Sequence, residues 1–252
     1  MSPSLLYDNL SWLCFDIILT FCGFAAYHAS HFGKSEVNPI FAKKIKSNHI
    51  DNMIVMTYTE KTVCYFDRPG AENTGDCAKI AVKRAKELGI SKIVVASCSG
   101  ATAVEFFKEI SKESGLKEIV VTHVVGFSKP GEWEFSTEIA DDLRSKGVTI
   151  VTGTHALSGL ERAISRNPAL GGVSRTEVIA ETLRRTIAVG LKVAVECTLI
   201  AADQGYVSPD EEIIAVGGTM EGADTVCVIK PSHTASYFNL QVREIAAMPR
   251  NR

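Results

Sequence analysis

From Thr57 onward the chain alternates short apolar runs with longer amphipathic stretches, a pattern that leaves little choice but strands and helices around a largely parallel sheet. Strands are expected at 92–97 (KIVVAS), 118–123, 148–152, 212–216 and 224–229. Helices are expected over 76–88, 101–112, 136–146, 157–165, 175–188 and 191–203. In the first of these, Cys77, Ile80, Ala81, Val82, Ala85 and Leu88 fall mostly on one face, leaving Lys79, Lys83, Arg84, Lys86 and Glu87 outside. Gly89 closes that helix, because a left-handed residue costs glycine least. The connection between Val216 and Asp224, GGTMEG, is too short for a helical crossover, so the last two strands should form an antiparallel pair. Pro231 is expected to end the regular structure.

Size and composition narrow the function classes. A chain of 252 residues buries a core without disulfides or a structural metal, and 46% hydrophobic with 22% charged residues excludes wholesale disorder. Lys plus Arg (27) nearly balance Asp plus Glu (29), so no bulk positive field exists to draw in nucleic acid. The seven cysteines (Cys14, Cys22, Cys64, Cys77, Cys98, Cys197 and Cys227) contain no C-x-x-C pair, which points to reduced thiols and a cytoplasmic protein. The six histidines are equally dispersed, and no metal is expected.

The amino-terminal residues differ from the rest. Leu10 to Tyr27 is apolar almost throughout but carries Asp16 near its middle, which costs roughly 2.5–3.5 kcal/mol in a membrane span. No Lys or Arg precedes the run, as a signal peptide requires, whereas Lys34, Lys43, Lys44 and Lys46 follow it. The preferred reading makes 1–52 a leader or gene-model extension, disfavours a membrane anchor, and starts the folded protein at 53–252, with Met53 or Met56 as its natural beginning.

Strand ends carry the functional signal. The first four strands run into SCSGAT, THVVGFS, TGTHALSG and GGTMEG, and in an open parallel sheet such turns line a crevice at the carboxyl edge. In Ser97-Cys98-Ser99-Gly100-Ala101-Thr102, hydroxyls, a permissive glycine and a helix amino terminus suit a phosphate. Simple helix capping explains the same residues, and the Lys of a P-loop is missing. His123 and His155 stand at strand ends without an evident carboxylate partner. Ser174 with Glu177 reads as a capping box after Gly171-Gly172, leaving Arg175 free to reach an anion. Arg162, Arg166, Arg184 and Arg185 read as a solvated or salt-bridged helix face, and Glu196 and Asp203 as either buried functional groups or members of ion pairs.

KIVVAS-CSGAT, EIVVTH, VTIVTG, EEIIAVGG and ADTVCVIKP resemble the carboxyl-terminal domain of pyruvate kinase. YFDRPGAENT, LSGLERAISR, GGVSRTE, AVGGTMEGADT and the closing MPRN resemble more closely the stand-alone archaeal and bacterial proteins described as pyruvate kinase C-terminal domain-like. The resemblance implies a three-layer α/β/α sandwich with a mixed five-stranded sheet, order 3-2-1-4-5, the last strand antiparallel. It implies that Ser97, Ser99, Gly100, Ala101 and Thr102 grip a phosphate. Similarity of the stand-alone group to a flavin mononucleotide (FMN) binder further implies FMN as cofactor, with Thr122, His123, Gly126, Gly153, Thr154 and Gly217 lining its site and Phe127, rather than Trp133, covering the ring. The chain has no room for the kinase barrel, so it is not expected to be a pyruvate kinase. An additional segment at about 155–188 departs from the kinase domain and bears on the shape of the crevice. The competing expectation is a non-enzymatic sensor module for a sugar phosphate or nucleotide, and either form is compatible with a homo-oligomer.

Overall fold

The computed structural model describes residues 58–251. The apolar run at 10–27, Met53, Met56 and the cysteines and histidines that precede them lie outside the described residues.

Seven strands form one sheet: β1 (Cys64–Phe66), β2 (Lys92–Ala96), β3 (Lys117–Thr122), β4 (Thr149–Thr152), β5 (Ile213–Gly217), β6 (Thr225–Lys230) and β7 (Gln241–Pro249). Their order is β1-β7-β6-β5-β2-β3-β4. β6 pairs antiparallel with both β5 and β7, and every other neighbouring pair is parallel, so β6 alone runs against the rest. The five expected strands therefore keep their expected order and the antiparallel sense of the fifth.

Regular structure does not stop at Pro231. A 3₁₀ turn (Thr234–Asn239) follows, then β7 pairs along β6, and three-residue β1 closes the edge. Neither strand carries a strong signal. The first residues of β7 are exposed and its register against β6 shifts twice, which breaks the two-residue alternation that marks a strand, while β1 is too short to show a pattern.

Both faces of the sheet are covered because its central strands are apolar on both sides. Ile93 and Val95 of β2 pack with α1 (Thr74–Leu88) and α2 (Ala101–Ile110), whereas Val94 faces the cluster built on α6 (Val189–Asp203). On the first side α3 (Thr137–Ser145) adds Ala140 and Leu143 against Val120, and on the second α5 (Arg175–Thr186) adds Ala180. A short α4 (Gly159–Ser165) leads into α5. Gly89, at φ +69°, ends α1 in the left-handed conformation, with its N–H returning to the last turn.

α6 is buried on nearly all sides and sits unusually close to the sheet. A side chain at Gly217 would meet the carbonyl of Gly190 and stand 2.9 Å from the Ala194 nitrogen, and one at Gly153 would stand 2.6 Å from Ile200 Cγ2. These glycines allow helix and strands to touch backbone to backbone.

Candidate functional site

The turns after β2 and β3, the segment after β4, the β5–β6 connection and the amino-terminal ends of α1, α2 and α6 surround one cleft of about 830 Å³ at the carboxyl edge of the sheet. That volume suits a small-molecule site, and three helix amino termini at one opening favour an anion.

The β2–α2 loop forms the first wall. Ser97 is 3% exposed, and its Oγ accepts from the amides of Gly100 (3.2 Å) and Ala103 (3.3 Å), so this hydroxyl holds the loop. Ser99 is exposed, with its Oγ at 3.5 Å from the Ala101 amide. Among the described residues no group accepts from the amides of Ser99 or Thr102. Gly100 takes a positive φ of +104° but does not line the cleft: a side chain there would lie 2.8 Å from Ile139 Cγ2 and 3.2 Å from the Phe135 ring. Close packing, not close approach of a ligand, requires the glycine.

The β3 end supplies a second wall and an array that no spacing in the sequence announces. His123 Nε2 lies 3.3 Å from Cys98 Sγ, and His123 Nδ1 lies 2.6 Å from Glu134 Oε2. Ser128 Oγ donates to the other oxygen of Glu134, and together Ser128 and His123 hold that carboxyl below the usual carboxylate range. Phe127 stacks on His123 with ring centroids 3.8 Å apart and also lies 5.2 Å from His155. Thr122 is 2% exposed, and its hydroxyl is already engaged with Thr152, the His123 carbonyl and the Trp133 indole N–H.

The third wall comes from 155–188 and α6. Lys192 and Glu196 form a buried ion pair one turn apart, and Glu196 also accepts from the Leu157 amide at 2.8 Å. Burial opposes the charge of Glu196, but Lys192 more than offsets it and holds the carboxyl below its ordinary range. His155 Nδ1 is 3.7 Å from the same carboxylate, while its Nε2 is buried with no hydrogen-bond partner among the described residues. Burial pushes the His155 pKa down, so the ring is held neutral. Arg162 and Arg184 line this wall. Arg184 is paired with Glu181 at 2.6 Å, whereas the guanidinium of Arg162 enters no salt bridge or hydrogen bond among the described residues.

Of the residues expected to form the site, Ser97, Ser99, Ala101, Thr102, Thr122, His123 and Phe127 line the cleft. Gly100, Gly126, Gly153, Thr154 and Gly217 do not. Gly153 and Gly217 serve the packing of α6, Gly126 sits in an exposed turn with its amide on the Glu132 carbonyl, and Thr154 is exposed beside Gly159. Trp133 points its indole N–H at Thr122 instead of covering a ligand. His123 and His155 both have carboxylate neighbours, contrary to expectation. Ser174 caps α5 by accepting from the Glu177 amide, as the capping box predicts. Arg162, Arg184 and Lys192 were not expected to line the cleft, since polar residues on amphipathic helices ordinarily face solvent or pair with one another; Cys98 lies in the expected loop but was not singled out, and Glu196, read as a buried functional group or an ion-pair member, is both buried and paired.

The architecture is a mixed α/β sandwich with its cleft at the carboxyl edge of the parallel strands. A family model described as "Pyruvate kinase, alpha/beta domain" matches residues 76–229, well over half of the chain. The chain belongs to that family. Among the described residues no helix is long and apolar enough to cross a membrane, and no three His, Cys, Asp or Glu side chains stand together as a metal site.

Proposed function

We propose that the carboxyl-edge cleft binds a phosphorylated small molecule. The observation that carries the proposal is the meeting, in one cleft, of the amides of Ser99 and Thr102 with the guanidinium of Arg162, none of which has a hydrogen-bond or salt-bridge partner among the described residues. Backbone amides at a helix start and an arginine are the groups that hold phosphate oxygens most effectively. FMN is the first ligand to test. Phe127 is 43% exposed, so its ring has area left to stack on a planar group, and Ser99 and Thr102 would hold the phosphate. Bound FMN would supply the redox chemistry itself. A sugar phosphate or nucleotide is the second reading, favoured by the buried His155 Nε2, which has no partner among the described residues: with the ring neutral and Nδ1–H toward Glu196, that nitrogen accepts from a ligand hydroxyl.

Thermal unfolding with FMN, a sugar bisphosphate, a nucleoside monophosphate and inorganic phosphate tests both readings, since stabilisation grows as RT ln(1 + [L]/Kd). A rise in Tm with FMN alone supports the flavin, and a rise with the sugar bisphosphate or nucleotide supports the second. No rise with any of them overturns the proposal. Arg162→Ala is expected to reduce whichever shift occurs.

A further inference from the structure

Five cysteines fall among the described residues, and Cys98 is the one whose sulfur meets a histidine. Cys77 and Cys227 are sealed in the core, Cys197 is buried in the cleft wall where burial pushes its thiol well up, and Cys64 is exposed on short β1. Cys98 instead sits where β2 turns into α2, half-buried and lining the cleft, with His123 Nε2 at 3.3 Å and Glu134 behind His123 at 2.6 Å. The Glu134 carboxylate fixes the tautomer of His123. It takes the proton on Nδ1, so in the neutral ring the lone pair of Nε2 faces the thiol.

We infer that Cys98 is the nucleophile of an acyl-transfer site that takes carboxylic esters, with His123 as general base and Glu134 as the residue that positions His123. In the first half, Cys98 Sγ bonds to the ester carbonyl carbon as its proton passes to His123 Nε2. The carbon–oxygen bond to the leaving alcohol then breaks, that oxygen takes the proton from Nε2, and a thioester remains on Cys98. In the second half, water loses a proton to Nε2 and attacks the thioester. The carbon–sulfur bond breaks, the sulfur regains the proton, and the net change is ester plus water to acid plus alcohol, with no redox step. The Ser99 amide, one residue after the nucleophile, and the Thr102 amide are donors for the developing oxyanion.

The thiol itself is not poised as a thiolate. Burial, aided by Glu134 and Glu221, pushes the Cys98 pKa up to about 11, so the proton must leave through His123 as attack proceeds. The inference does not rest on phosphate binding. Should every phosphorylated ligand fail while Cys98 still acylates, the proposed function falls and this site stands.

The full chain is mixed with p-nitrophenyl acetate, with p-nitrophenolate release followed in time and the acetylated peptide identified by mass spectrometry. The expected result is a burst of about one equivalent per chain, with acetyl on Cys98, whether or not the thioester then turns over. Cys98→Ala removes the burst and Cys64→Ala keeps it. His123→Gln slows acylation by about tenfold or more. Glu134→Gln lowers the first-order rate constant of the burst at saturating ester while leaving its amplitude unchanged, whereas a fraction of unfolded chains would lower the amplitude and leave the rate constant. Native-like circular dichroism and melting of each variant establish that it folds. Acetyl found on other residues with Cys98 silent, a burst that survives Cys98→Ala, or a burst that keeps its parent rate in His123→Gln, each in a folded protein, overturns the inference.

Discussion

Glu118 is 3% exposed near the amino end of β3, and neither of its carboxylate oxygens has a partner among the described residues. Burial alone pushes its pKa up from 4.5 to about 8. Between those values the folded chain holds a proton that the unfolded chain has lost, so the contribution of Glu118 to stability is greatest below about pH 4.5, falls as pH rises toward about 8, and levels off above it. The loss amounts to a few kcal/mol. Urea unfolding of Glu118→Gln against the parent, at about pH 5 and about pH 9, should show a flatter dependence in the variant. Equal slopes would refute the assignment. The Lys192–Glu196 pair makes a contrasting case, because each charge there has a partner. Lys192→Met strands a buried carboxylate and should cost about 3–5 kcal/mol, whereas Lys192→Met with Glu196→Leu should recover most of it. A single variant as stable as the parent would show that the pair contributes nothing.

Edge strand β7 is tied to α1 by Arg84, whose side chain is 8% exposed and reaches Glu244 through two hydrogen bonds of 2.7 and 2.6 Å, with Glu87 at 2.5 Å. Arg84→Ala should destabilise the protein by about 1–3 kcal/mol and speed hydrogen exchange of β7 amides more than those of β2. Uniform acceleration across the sheet would contradict a local tie. α6 presses on the strands through Gly217, so Gly217→Ala should cost about 1–3 kcal/mol from overpacking, read as a lowered urea midpoint. The helices and five of the strands were legible because β2, β3 and β5 are continuous apolar runs punctuated by glycine and polar turns. β1 and β7 were not, since three residues carry no period and the register shifts of β7 scramble what alternation it has.

Across the whole molecule, the turns at the carboxyl edge do converge, as strand order in an open α/β sheet requires. The hydroxyl-rich strand ends signalled that convergence, and they located Ser99, Thr102, His123 and Phe127 in the cleft. Glycines misled, because Gly100, Gly153 and Gly217 meet a packing demand that looks the same in a sequence as a demand for ligand approach. The cleft-facing Arg162, Arg184 and Lys192 were hidden for a different reason: a helix period tells which face is apolar but not what a polar residue will meet. The pairing of His123 with Glu134 depends on how the irregular stretch between them folds back, which no local rule encodes.

The site is tested most directly by amide chemical shifts of the isotope-labelled full chain titrated with inorganic phosphate and then with FMN. The largest perturbations should fall on the amides of Ser99 and Thr102 and on the Arg162 side chain, saturate, and diminish together in Arg162→Ala. Perturbations absent from those groups, or scattered over surfaces away from the cleft, would contradict the account.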